Sequence, residues 1–297
     1  MDIVLLCGGY GTRMGELTAN TPKQLLDVAG KPVLERVMDS LGELVYEGRN
    51  ILVTNAKFAE QFEAWAKDYR ARHPDVQLQV YNDGTTRNEE RLGAVGNMRF
   101  AIDKAGIKDD VLILGTDNMF SRPLEPLIRG AQAEGKPFNA LYDVKDKAIA
   151  RELGIVAVSE RGVIRDFLEK PQEPPSTLAS CAVYYLPASY VPQVAQYLDE
   201  GNKPDKSGDF VDWLRRRTDV AARPVDGTWF DMGHKTTLEQ ARTFYSQSEQ
   251  PIRGQNGTGG GAREVISEMR LAPTTVSREG DSQVGLRIPG TPVKERL

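Results

Sequence analysis

The stretch Ile3-Val4-Leu5-Leu6-Cys7-Gly8-Gly9-Tyr10-Gly11-Thr12-Arg13, continued by Pro22-Lys23, decides the fold. An apolar run that stops at three glycines in four positions predicts a buried strand. Its end leaves backbone N–H groups bare and open to the close approach of a large anion. Arg13 adds a planar fork suited to phosphate oxygens, and Lys23 adds a point-like positive charge. Bare amides, an arginine and a lysine together compose a cradle for a triphosphate. A plain glycine turn with two solvated basic residues is the alternative, and a lone GGxG does not exclude it.

The wider spacing is more specific. Leu5-Cys7-Gly8-Gly9-x-Gly11-Thr12-Arg13-Met14, then Leu17-Thr18, Pro22-Lys23 and Gly30-Lys31-Pro32-Val33-Leu34, closely resembles the opening signature of the sugar nucleotidyltransferases. These are the NDP-sugar pyrophosphorylases, among them sugar-1-phosphate thymidylyl-, uridylyl- and guanylyltransferases. Cys7 stands where a small residue such as alanine is usual, and Glu16 and Asp27 stand where prolines are common. The resemblance is tight through Leu34, and weaker, ordered echoes continue to the region of Tyr245. It implies nucleotide contacts from Leu6, Gly8, Gly9, Gly11, Thr12 and Arg13, with Arg13 and Lys23 as catalytic cations. It also implies base contacts from Leu92 and Gly93. Their setting, Leu92-Gly93-Ala94-Val95-Gly96, looks like the L-G-T-A-G step of uridylyl- and guanylyltransferases; the expectation is UTP or dTTP with glucose 1-phosphate.

Composition agrees with an enzyme. A chain of 297 residues holds one large α/β domain or two small ones with ample core. A net charge of −4 argues against nucleic-acid binding driven by phosphate neutralisation. The sequence shows no basic-plus-apolar leader and no apolar run approaching ~18 residues, so the expected setting is cytoplasmic, with no membrane partner. Cys7 and Cys181 read as reduced, small core residues, and His73 and His234 are too few for a histidine zinc site.

Strand and helix patterns alternate from residue 3 onward, which predicts a three-layer αβα sandwich around a mostly parallel mixed sheet. Residues 3–6, 50–54, 78–81 and 111–114 read as strands. Residues 33–41, 57–72 and 92–103 read as helices, the second with a stripe of Phe58, Phe62, Trp65 and Tyr69 that belongs to the core. Residues 154–159 and 163–169 form a hairpin around Glu160-Arg161-Gly162, and 179–186 is another strand. The enzyme core is placed at 1–248, with a nucleotide part to about residue 120 and an acceptor part from 121. Residues 249–297, rich in Gly and Pro, read as a flexible tail.

Ligands in such sheets gather beyond the carboxyl ends of the strands. Asp117, after Val111-Leu112-Ile113-Leu114, and Asp231, in Trp229-Phe230-Asp231-Met232-Gly233, fit that rule. Carboxylates there can hold Mg²⁺ against substrate phosphates, although an isolated Asp more often closes a turn or caps a helix. Both match the metal-binding aspartates that the resemblance implies. It further implies an acceptor pocket of Gly154, Glu169, Lys170 and Ser180, with Glu169 on sugar hydroxyls and Lys170 on the sugar 1-phosphate. Ala182 replaces the usual glycine, which would narrow that pocket, and His234 is expected at the start of a helix from residue 236.

The function expected is Mg²⁺-dependent transfer of a nucleoside monophosphate to a sugar 1-phosphate, releasing pyrophosphate. Transfer to a phosphocholine-like phosphate or a phosphonate is one alternative, and a non-catalytic nucleotide-sugar sensor is another. A nicotinamide dehydrogenase fits poorly, because Met14 takes the place of the third glycine and Asn55 follows the second strand. Self-association is left open.

Overall fold

The computed structural model describes residues 1–248; the expected tail over 249–297 lies outside the described residues. The first half runs β1 (Asp2–Cys7), β2 (Asp27–Val28), β3 (Lys31–Pro32), α1 (Val33–Ser40), β4 (Arg49–Thr54), α2 (Ala59–Arg72), β5 (Gln77–Asn82), α3 (Gly93–Ala105) and β6 (Val111–Gly115). There follow β7 (Asn118–Phe120), α4 (Glu125–Glu134), β8 (Phe138–Asp143), α5 (Lys147–Ala150), β9 (Gly154–Val158), β10 (Ile164–Glu169) and β11 (Leu178–Leu186). The chain closes with α6 (Pro192–Asp199), α7 (Ser207–Arg215), β12 (Ala221–Pro224), β13 (Trp229–Asp231) and α8 (Lys235–Ser248).

Among the described residues, nine strands form one sheet with the path β10-β9-β11-β6-β1-β4-β5, and β8 joins β11 to β12. β6, β1, β4 and β5 are parallel to one another, whereas β11 runs antiparallel to β6, β8 and β9. The chain leaves β1 toward β4 on one side and returns to β6 on the other. That reversal opens a crevice beyond the carboxyl ends of β1 and β6, where open α/β sheets bind ligands.

Both faces of the sheet are covered, which explains why its parallel strands read as unbroken apolar runs. Ile3, Leu5 and Cys7 enter one core with Leu34 and Phe62, while Val4 enters the other with Val95 and Trp213. The stripe on α2 is core packing, as its spacing predicted: Phe58, Phe62, Trp65 and Tyr69 are all buried. Each such ring contributes roughly 1.5–3 kcal/mol relative to exposure. The β9–β10 hairpin also forms, with Gly162 at φ +68° in the turn.

β11 carries an irregularity that the sequence did not announce. Its register against β8 shifts between Ser180 and Tyr184, and Ala182 sits there at φ +53°. Left-handed backbone costs an alanine about 1 kcal/mol, which is the physical reason a glycine suits this position. The methyl group faces Gly115: a Cβ added at Gly115 would lie 3.0 Å from that of Ala182. Ala182→Gly is therefore expected to hold or raise the melting temperature, by up to about 4 °C. A fall, as glycine brings in an ordinary strand, would show that the bulge is not strained.

Candidate active site

The cradle starts where β1 ends. Gly8 has no room for a side chain, since a Cβ there would lie 2.2 Å from the Asn97 amide nitrogen. Gly9 faces open space instead, with nothing within 4 Å of such a Cβ. Gly11, at φ +67°, turns the chain into a 3-10 segment (Thr12–Thr18), and the Thr18 hydroxyl donates to the Gly11 carbonyl at 2.7 Å. The turn is thereby closed on itself, and Gly9 and Gly11 line the crevice.

Two lobes make up the cleft. The first, of about 400 Å³, is lined by Gly9, Gly11, Thr12, Arg13, Lys23 and Gly233, among others. The second, of about 280 Å³, is lined by Leu6, Gly8, Gly93, Asn97, Asp117 and Tyr184, among others. Gly9, Lys23 and Arg91 border both. Leu92 does not line the cleft; it stands at the start of α3, close against Gly96.

The two aspartates meet through a two-stranded ribbon. β13 pairs antiparallel with β7 so that Asp231 stands opposite Asn118, and the Met232 amide donates to the Asp117 carbonyl at 2.8 Å. The Trp229 indole fixes this ribbon by donating to Asn118 Oδ1 at 2.9 Å. Lys23 Nζ lies 2.5 Å from Asp117 Oδ2. A Cβ added at Gly233 would be 3.2 Å from Asp231 Oδ1 and 3.6 Å from the Arg13 guanidinium. Two carboxylates, an ammonium and a guanidinium thus converge at the carboxyl ends of β1 and β6.

The two carboxylates are shifted in opposite directions. Burial pushes the Asp117 carboxyl up, but the Lys23 ammonium, by charge and hydrogen bond, outweighs it and holds the group below its ordinary value. Asp231 is raised, first by burial and then by the Asp117 charge. The Lys23 ammonium and the Arg13 guanidinium both act on the two carboxylates, so the four charges offset one another. Cys7 is no nucleophile: burial pushes its thiol up to about 12, and both cysteines are free and buried, as expected.

None of the four expected acceptor residues, Gly154, Glu169, Lys170 and Ser180, lines either lobe itself. Glu169 stands opposite Gly154 in the hairpin register, and its Oε2 is 3.3 Å from where a Cβ at Gly154 would lie. Ser180 Oγ is 3.5 Å from the Tyr184 hydroxyl, which donates to Ser207 Oγ at 2.9 Å. Tyr184 and Ser207 line the second lobe. Lys170 is exposed, at φ +49°, with its amide donating to the Leu153 carbonyl at 3.0 Å. His234 precedes α8, and its carbonyl accepts from the Leu238 amide at 3.2 Å.

Sequence reasoning missed the polar loop before α7. Lys206 Nζ is 3.6 Å from Glu169 Oε1, and Asp205 Oδ1 is 3.0 Å from the Arg91 guanidinium. Nothing in Pro204-Asp205-Lys206-Ser207 signals this. The loop reaches the cleft only because α6 and α7 pack beside α3.

The model of the nucleotidyl transferase family matches residues 3–248, so the chain belongs to that family, whose members are enzymes that transfer phosphorus-containing groups. The mannose-1-phosphate guanylyltransferase catalytic subunit beta of Drosophila melanogaster is 27% identical over 280 residues, covering 93% of this chain and 71% of that one. The UTP–glucose-1-phosphate uridylyltransferase AglF of Haloferax volcanii is 26% identical over 245 residues, covering 81% and 95%. The chain spans 54% to 65% of the length of five further relatives, whose remaining parts have no counterpart in these matches. In structure, the UDP-glucose pyrophosphorylase of Acinetobacter baumannii superposes with a TM-score of 0.67 at 19% identity, over 84% of this chain and 95% of that one. That last likeness is one of fold. No helix among the described residues is long and apolar enough to cross a membrane.

Proposed function

We propose that this enzyme joins a nucleoside triphosphate to a sugar 1-phosphate, giving an NDP-sugar and pyrophosphate. The observation that carries the reading is the meeting of Arg13, Lys23, Asp117 and Asp231 beside the glycine loop. The triphosphate lies along Leu6 to Arg13, with Gly93 toward the base. An oxygen of the acceptor's phosphate attacks the α-phosphorus; the bond to the β-phosphate oxygen breaks on the far side, and pyrophosphate leaves with the electron pair. The attacking oxygen is already anionic, so no base is required, and positioning and charge neutralisation carry the rate. Lys23 steadies the α-phosphoryl group and Arg13 the departing pyrophosphate. Glu169, beside Gly154 and Ser180, accepts from sugar hydroxyls, and Lys170 holds the sugar phosphate as a point charge.

Asp117 and Asp231 suit a hard divalent cation such as Mg²⁺. That ion takes one or two carboxylates and completes its shell with substrate phosphates and water. Among the described residues no cluster of three or more acidic, histidine or cysteine groups exists to hold a metal by itself. When bound, the ion would neutralise the triphosphate. A cytoplasmic setting belongs to the same reading.

For the base and sugar we favour UTP or dTTP and glucose 1-phosphate, on the small residues of the segment Leu92 to Gly96. A pyrophosphate-release panel of five nucleoside triphosphates against several sugar 1-phosphates tests the proposal. Release only in the presence of both substrates, highest with UTP or dTTP, is the expected result. Release with a phosphonate or phosphocholine alone would transfer the reading to another acceptor class, and a GTP optimum would overturn the choice of base.

A further inference from the structure

Arg91 has no part in the chemistry described so far, yet it borders both lobes of the cleft, beside Gly9 and Lys23. It stands between a 3-10 turn (Asn88–Glu90) and α3. One guanidinium nitrogen donates to the Asn88 carbonyl at 3.1 Å, and another lies 3.0 Å from Asp205 Oδ1. Both side chains are close to half exposed, 43% and 46%.

The backbone under Asp205 is fixed. The Val95 amide donates to the Pro204 carbonyl at 2.8 Å, and the Ala94 amide donates to the Asp205 carbonyl at 3.1 Å. Gly93, at φ +80°, leaves no space there either, since a Cβ would meet the Pro204 carbonyl at 2.5 Å. The loop therefore seals the first amides of α3 and holds the Asp205 carboxylate at the cleft's edge. The next two residues grip the acceptor side, Lys206 at Glu169 and Ser207 at Tyr184. Asp205 is the anchored member of the ion pair, and Arg91, on its long side chain, is the adaptable one.

We propose that Arg91 is a third cation of the nucleotide site, held on Asp205 when the cleft is empty and passed to the triphosphate when it binds. The proposal rests on reading the cleft as a nucleotide site. An ion pair this exposed contributes little, so its loss is readily offset. A phosphate chain offers the same planar fork more negative charge and more acceptor oxygens. Asp205 then acts as a competing anion that lowers affinity in the free protein.

Direct titration with UTP, dTTP and GTP, each with Mg²⁺, in the wild type, Arg91→Met, Arg91→Lys and Asp205→Asn tests this. Arg91→Met is expected to weaken binding of the preferred triphosphate by about tenfold or more, the loss of a charge-assisted contact. Arg91→Lys should recover part of it, and Asp205→Asn should tighten binding by a few fold. In turnover assays Arg91→Met should leave the sugar 1-phosphate KM within about twofold of wild type, because only the nucleotide loses a partner. Unchanged triphosphate binding in Arg91→Met, or weaker binding in Asp205→Asn, would overturn the proposal. If the wild type binds none of the three, the nucleotide reading of the cleft fails, and Arg91's role fails with it.

Discussion

Asp117→Asn and Asp231→Asn are each expected to lower kcat on the order of a hundredfold or more, while both variants stay folded. Asparagine keeps the shape of each side chain and removes the charge that a divalent cation or the Lys23 ammonium answers. Their stabilities should move apart. Asp231 carries a charge that burial and Asp117 both oppose, so its neutralisation removes repulsion and should raise the melting temperature. Asp117 is held ionised by Lys23, so Asp117→Asn strands a mostly buried ammonium and should lower it. Measuring kcat and thermal unfolding for both variants separates the two effects. Near-wild-type turnover in both at saturating Mg²⁺ would return the aspartates to ordinary turn residues.

Lys23→Met should be as damaging, through two routes that a double variant pulls apart. Lys23 is 12% exposed and Asp117 25%, so their contact lies largely out of water. Removing the ammonium leaves the carboxylate without its partner, at a cost on the order of 1–3 kcal/mol. It also removes the charge assigned to the α-phosphoryl group. In Lys23→Met/Asp117→Asn the unpaired carboxylate is gone, so stability should return most of the way toward wild type, while turnover stays lost. A double variant as unstable as Lys23→Met alone would mean that the lysine supports the fold by contacts other than Asp117.

Much of this was legible in the sequence, because it depends on local patterns. Ile3 to Leu6 and Val111 to Leu114 read as buried strands since both sheet faces are covered. The glycine loop was legible because Gly8 and Gly11 are demanded by close approach and by positive φ. The placement of Asp117 beyond a strand end followed from the same run.

What remained hidden depends on distant pairing. The approach of Asp231 to Asp117 is set by the β7–β13 ribbon, whose Asn118 and Trp229 are 111 positions apart. Ala182 looked like a change of pocket size, whereas it also marks a bulge at positive φ, fixed by the register of β11 against β8. Lys206 and Asp205 sit in a short polar loop with no periodicity, and only helix packing brings them to Glu169 and Arg91.

A single in-line displacement at the α-phosphorus is the central claim, and the stereochemistry there tests it most directly. The substrate is one diastereomer of a nucleoside α-thiotriphosphate, used with a sugar 1-phosphate and Mg²⁺; the configuration at phosphorus in the NDP-sugar product is the readout. Inversion is the expected result, because one attack and one departure on opposite faces turn the centre over once. Retention would contradict it, since two displacements through a nucleotidyl-enzyme restore the original hand.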